Sequence, residues 1–107
     1  MIDRRRYIRH SLRYRVLCAP FGVPERKVRA TSFNLSMGGI GMNLKKFLTK
    51  SEKINLEILI PQSKRPIKAT GRLAWQTHLP SLGVKRCGIQ FTEIPYTRLK
   101  TILGNPA

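Results

Sequence analysis

Acidic residues are scarce in this 107-residue chain: five Asp and Glu stand against 21 Lys and Arg, for a formal charge of +16. That imbalance points to an anionic partner, whether nucleic acid, nucleotide, lipid or acidic protein surface, and says nothing about fold. Aromatics are also few, at 7%, which argues against a series of base-stacking platforms along a nucleic-acid strand. The two cysteines, Cys18 and Cys87, form no C-x-x-C pair and have no histidine at metal-ligand spacing, so a metal site is not expected. Each falls in a strand-like run, where a free thiol behaves as a small buried hydrophobe. No apolar run is long enough to span a membrane, and Arg13 and Arg15 interrupt Leu12 to Pro20 before it could serve as a signal-peptide core. A cytoplasmic protein without membrane insertion is the expectation.

Catalytic groupings are missing as well. His10 and His78 have no evident carboxylate or cysteine partner, no serine lies in a nucleophile elbow, and the acids are scattered. The glycine-rich segments match neither a Walker nor a dinucleotide fingerprint. The expected protein is not an enzyme and carries no cofactor.

What the chain does have is an arginine tract at its start, Asp3-Arg4-Arg5-Arg6-Tyr7-Ile8-Arg9. Like charges this close repel one another, so the cluster is suited to something anionic and planar. Residues 1–11 are expected to form a flexible basic segment that binds the ligand, and 12–107 a single domain.

Alternation supplies the domain's strands. Leu12, Tyr14, Val16 and Cys18 alternate into Pro20, Gly22 and Pro24, which break the first strand. Val28 to Phe33 resumes extended structure, the turn residues Asn34 to Gly39 interrupt it, and Ile40, Met42 and Leu44 alternate again. Lys45 to Lys53 suits a loop or short helical turn. Ile54, Leu56, Ile58 and Ile60 give the cleanest strand. Ile67, Ala69, Gly71, Leu73 and Trp75 then share a face, with Gly71 suggesting a bulge; Cys87, Ile89 and Phe91 share another. Leu73, Trp75 and Phe91 are therefore assigned to the core. Pro95 suits a first helical position, Leu99, Ile102 and Leu103 recur at helical spacing, and Gly104 stands as a terminator, predicting a helix over about 95–103. The fold class is all-β with one small helix: six strands closing into a small antiparallel barrel.

Two polar constellations remain. An arginine fork can grip a guanine edge or a phosphate. The Asn34 to Gly39 turn offers an amide, a hydroxyl and glycines that allow close backbone approach. Arg5-Arg6-Tyr7-Ile8-Arg9 has the form R-x-x-x-R, and Asn34-Leu35-Ser36-Met37-Gly38-Gly39 the form (D/N)-x-S-x-x-G. With Gly71-Arg72-Leu73-Ala74-Trp75 and Gly88-Ile89-Gln90-Phe91 downstream, the chain resembles the PilZ domain of bacteria, a six-stranded barrel that binds the second messenger cyclic di-GMP.

The resemblance implies that Arg5 and Arg9 contact guanine and phosphate, and that Asn34, Ser36 and Gly39 line the opposite side of the pocket. Arg4 stands just before the motif, where an arginine in relatives goes with a stacked ligand pair, so two molecules per domain are implied. Arg6 falls on a variable position. The implied role is a receptor or adaptor that changes conformation on binding cyclic di-GMP and signals to a partner protein. The alternative is a basic small barrel that binds single-stranded RNA or DNA. Lys and Arg beyond the tract are expected to serve as a solubilising surface.

Overall fold

The structure, a computed structural model, describes residues 10–45, 53–61 and 63–104. Six strands run β1 (Arg15–Pro20), β2 (Val28–Leu35), β3 (Gly39–Leu44), β4 (Ile54–Leu59), β5 (Ile67–Leu79) and β6 (Val84–Glu93), followed by helix α1 (Tyr96–Leu103). All pairings are antiparallel, and the order β1-β2-β3-β6-β5-β4 closes because β4 pairs back onto β1. The expected barrel and its closing helix are both present.

Each strand's inward set fills the barrel: Val16 and Cys18 from β1, Met42 and Leu44 from β3, Ile54, Leu56 and Ile58 from β4, Ile67 from β5, and Cys87 and Ile89 from β6. Leu99 of α1 is fully buried among them, so the helix contributes to the core by its apolar stripe. Pro95, expected at the first helical position, is instead the N-cap one residue before it, and its carbonyl accepts the Leu99 N–H at 3.0 Å. Gly104 ends the helix at φ +79, a conformation that other residues rarely adopt.

Arg98 fixes the helix to the β4–β5 connection. Its Nη1 donates to the Pro66 carbonyl at 2.7 Å and its Nη2 to Ser63 Oγ at 2.6 Å, with the Arg65 carbonyl as a further acceptor. Part of the positive charge expected to act only as solubilising surface thus serves the fold.

The first strand begins later than the alternation from Leu12 suggests, at Arg15. Ser32, fully buried, is the reason. Its N–H still donates to the Tyr14 carbonyl at 2.9 Å, but its hydroxyl accepts the Tyr14 N–H at 2.8 Å and donates to the Leu12 carbonyl, so a side chain takes over one of the two backbone bonds of the next rung. The segment still runs alongside β2 as far as His10, whose N–H and carbonyl exchange hydrogen bonds with Leu35, both at 2.8 Å. The second strand accordingly extends two residues beyond Phe33, through Leu35.

Two register shifts decide which side chains face out. Along β2 the inward residues are Ala30 and Ser32, but Phe33 is an extra residue against β3, and the inward phase passes to Leu35. Asn34 is thereby turned to the outer face. On β5 the pairing with β6 jumps from Leu73↔Ile89 to Trp75↔Gly88, leaving Ala74 extra. Trp75, assigned to the core by simple alternation, is instead 44% exposed. Leu73 and Phe91 do pack against the core, partly buried. A further shift lies between Thr70 and Gly71, where the glycine suggested one.

Candidate functional site

The two bulges put Asn34 and Trp75 on one outer surface and in one row. Successive Cα partners across four strands are Asn34↔Gly41 (β2 to β3), Gly41↔Gly88 (β3 to β6) and Gly88↔Trp75 (β6 to β5). At about 4.8 Å between strands, the row is roughly 14 Å wide. Its middle is bare backbone. A Cβ on Gly41 would meet Asn34 Oδ1 and the Phe33 ring, and one on Gly88 would strike the Trp75 indole. The flanking side chains therefore lean in over the glycines, which is possible only because nothing projects between them.

Around this row is a cleft of about 570 Å³, within the usual range for small-molecule sites. Its floor includes Gly39, Gly41, Gly88 and Gln90, and its sides include Asn34, Ser36, Trp75 and, from the helix end, Ile94 and Tyr96. The three turn residues expected in a site are thus brought together here. Arg4, Arg5 and Arg9 lie outside the described residues.

Asn34 uses its amide oxygen to accept the Gly41 N–H at 2.9 Å, replacing a ladder bond displaced by the bulge. Among the described residues its Nδ2 donates to none, so two N–H donors remain for a ligand. Ser36 is 8% exposed. Its hydroxyl accepts the Gly38 and Gly39 N–H groups at 3.1 and 3.2 Å, and its own N–H donates to the Gly39 carbonyl at 2.9 Å. The serine first holds the turn, and through it sets the position of Gly39.

Among the described residues no charged side chain lines the cleft, although the protein carries +16. An anion bound there would need cations from beyond its walls. The His10–Leu35 bridge fixes one source, because Leu35 lies between Asn34 and Ser36 and His10 follows Arg9 directly. The arginine tract is therefore joined covalently to a point at the rim of the cleft.

Beneath the floor, Cys18 and Cys87 are free and fully buried. Burial pushes the Cys18 thiol up to about 11 and, with the neighbouring Cys18 adding to it, Cys87 up to about 12. Both are neutral thiols at ordinary pH, packed as apolar residues. Among the described residues no three His, Cys, Asp or Glu are grouped to hold a metal ion, and no helix is long and apolar enough to cross a membrane.

Sequence reasoning missed Trp75 as a cleft residue. Its signal was present in Gly88, whose missing side chain makes room for the indole, but the pairing of the two is a tertiary fact. Tyr96, 55% exposed at the cleft's edge, had no sequence signal beyond its place near the helix start.

Among solved structures, the chain is similar to the Bacillus subtilis inhibitor of motility, MotI/DgrA, with a TM-score of 0.78 and 24% identity over 95% of this chain and 49% of that one. It is similar to Escherichia coli YcgR in complex with c-di-GMP, with a TM-score of 0.68 and 19% identity over 95% of this chain and 45% of that one. The PilZ domain of YcgR with c-di-GMP gives a TM-score of 0.69 at 19% identity, over 94% of this chain and 88% of that domain. The chain thus spans about half the length of the two larger proteins, and the likeness establishes a shared barrel. No curated protein matches it in sequence. The family model of the PilZ domain matches residues 3–104. With that match running from the arginine tract to the end of the helix, the chain belongs to the PilZ domain family.

Proposed function

We propose that this domain is a receptor for cyclic di-GMP. The observation that carries the reading is the His10–Leu35 bridge, which fixes the residue that follows the arginine tract beside a cleft lined by Asn34, Ser36 and Gly39 and, among the described residues, by no charged side chain. Among the described residues the cleft offers donors and an aromatic face but no positive charge, and the tract carries four arginines in its sequence. A ligand suited to both halves is a phosphodiester that also carries planar, hydrogen-bonding bases. Family membership and the c-di-GMP bound by the similar YcgR structures point the same way.

In this reading Arg5 and Arg9 fold over the ligand to grip guanine and phosphate, Asn34 Nδ2 donates to it, Gly39 lets it lie against the backbone, and Trp75 offers a face for a guanine to stack on. Arg4 holds a second, stacked nucleotide, giving two per domain. Binding neutralises the tract's self-repulsion and draws it onto the barrel, creating a new surface that a partner protein reads.

Titration calorimetry on nucleotide-free protein tests this. The expected result is binding at micromolar concentration or tighter with a molar ratio of two. Each well-made arginine contact to guanine is worth about 1–3 kcal/mol, so Arg5→Ala or Arg9→Ala weakens binding about tenfold or more. Absence of heat overturns the assignment, and a molar ratio of one overturns the stacked pair. Comparable affinity for single-stranded RNA, with a steep salt dependence, would transfer the site to nucleic acid.

A further inference from the structure

The glycine floor does not end at Gly41 and Gly88. Side chains on one face of a sheet recur every second residue, so the next outward pair along β3 and β6 is Asn43 and Arg86, which are themselves Cα partners. Two residues of strand place them about 7 Å beyond the floor. Arg86 there is held in an unusually defined position. Its Nε donates to Asn43 Oδ1 at 2.9 Å, and its guanidinium lies over the Phe33 ring at 4.4 Å from the centroid. Phe33 is the extra residue of the β2 bulge, and the same ring borders Gly41. The device that turns Asn34 into the cleft therefore also provides the platform for Arg86.

Among the described residues the two terminal nitrogens of Arg86 donate to none. With Nε occupied and one face covered by an aromatic ring, the end-on Nη1 and Nη2 pair remains, a fork whose geometry matches two oxygens of one phosphate. A side chain so restrained has already lost most of the rotamer freedom that an exposed arginine gives up on binding.

We infer that Arg86 is a further ligand-contacting residue, a pre-set guanidinium at the end of the glycine floor that takes one phosphate of the bound dinucleotide. The inference rests on the cyclic di-GMP reading above and adds to it a cation that belongs to the barrel itself. The rest of the charge comes from the tract, and Arg86 marks where a phosphate lies on the barrel. Asn43 acts through Arg86 as a positioning residue.

Calorimetry with cyclic di-GMP on the nucleotide-free full chain compares wild type with Arg86→Ala, Arg86→Lys, Asn43→Ala and the double variant, using Arg29→Ala as a control for the loss of one exposed charge. Loss of a charge-assisted fork weakens affinity about tenfold or more in Arg86→Ala. Lysine, a point charge that cannot stack flat on Phe33 or reach with two nitrogens, restores only a minor part. Asn43→Ala loses about threefold alone and nothing further when Arg86 is already alanine, because its effect passes through that side chain. Arg29→Ala stays within about twofold of wild type. Thermal melting of each variant checks the fold, and Arg86→Lys keeps the test open should Arg86→Ala unfold.

If the wild type binds and Arg86→Ala matches Arg29→Ala in affinity, Arg86 merely braces Phe33 and the inference is overturned while the receptor reading stands. If the wild type gives no heat, the receptor reading fails and the assignment of Arg86 fails with it.

Discussion

The two faces of β3 and β6 are built from the same strands to opposite ends. Inward, Ile40, Met42, Leu44, Cys87 and Ile89 are buried at 3% exposure or less. Outward, Gly39, Gly41 and Gly88 carry no side chain, and the surface is shaped by what leans over them from β2 and β5. The inner face holds the barrel together by the amount of apolar surface it removes from water. The outer face gives up that stabilisation and leaves backbone open to the cleft. Core and cleft are thus separated by the thickness of one sheet, and substitutions on either side should show different signatures.

The largest effect should come from the inner face. Ile58→Ala removes a fully buried side chain from the core and is expected to lower unfolding free energy by about 2–5 kcal/mol in urea titration; retained affinity in whatever fraction stays folded would sharpen the separation. Gly88→Ala breaks it from the other side, because its Cβ cannot coexist with the indole of Trp75. Displacing the protein's single tryptophan should shift its emission and weaken cyclic di-GMP binding about tenfold, with a stability cost of about 1–3 kcal/mol. Trp75→Ala is the milder counterpart. An exposed aromatic costs little to remove, about 1 kcal/mol or less, while loss of base stacking should reduce affinity about tenfold. A large drop in stability with unchanged affinity would return Trp75 to a structural role.

The last effect is a matter of pH and is felt only in alkali. Cys18 and Cys87 ionise at about 11 and about 12 inside the barrel, against 9.0 when unhindered. Folding therefore holds the proton more tightly than the unfolded chain does. The contribution is fully present below about pH 9 and fades as pH rises through the folded values. Urea midpoints of wild type and the Cys18→Ala/Cys87→Ala variant, followed from pH 8 to pH 11, should diverge with the wild type losing more; parallel curves would show that the thiols are not the groups responsible.

How much of this was legible in the sequence depended on whether a residue's role was local. Ile54 to Ile60 announced a strand because its neighbours are covalently next to it and the inward phase never slips. Asn34, Ser36 and Gly39 announced a turn by their own chemistry, and they do meet at the cleft. Trp75 was misplaced because one extra residue, Ala74, reverses every side chain after it, and alanine gives no hint of a bulge. Ser32 was unremarkable until its hydroxyl proved to tie both Leu12 and Tyr14 to β2. Arg98 could not be told from any other basic residue, since its acceptors lie at Ser63, Arg65 and Pro66. Arg86 was hidden in the same way, its partners being Asn43 and Phe33.

The seam that closes the barrel has a consequence in time. Pairing β1 with β4 brings Arg15 opposite Leu59 and Pro20 opposite Ile54, contacts between distant parts of the chain that form only after a large loop has been closed. Folds dominated by such pairings reach the native state in about milliseconds to seconds, far more slowly than helical domains. Because β1 follows directly from the arginine tract, the strand on which closure depends also delivers the charge. The His10–Leu35 bridge, however, is made to β2 and not to β4, so the residue that follows the tract can be fixed before the seam has closed.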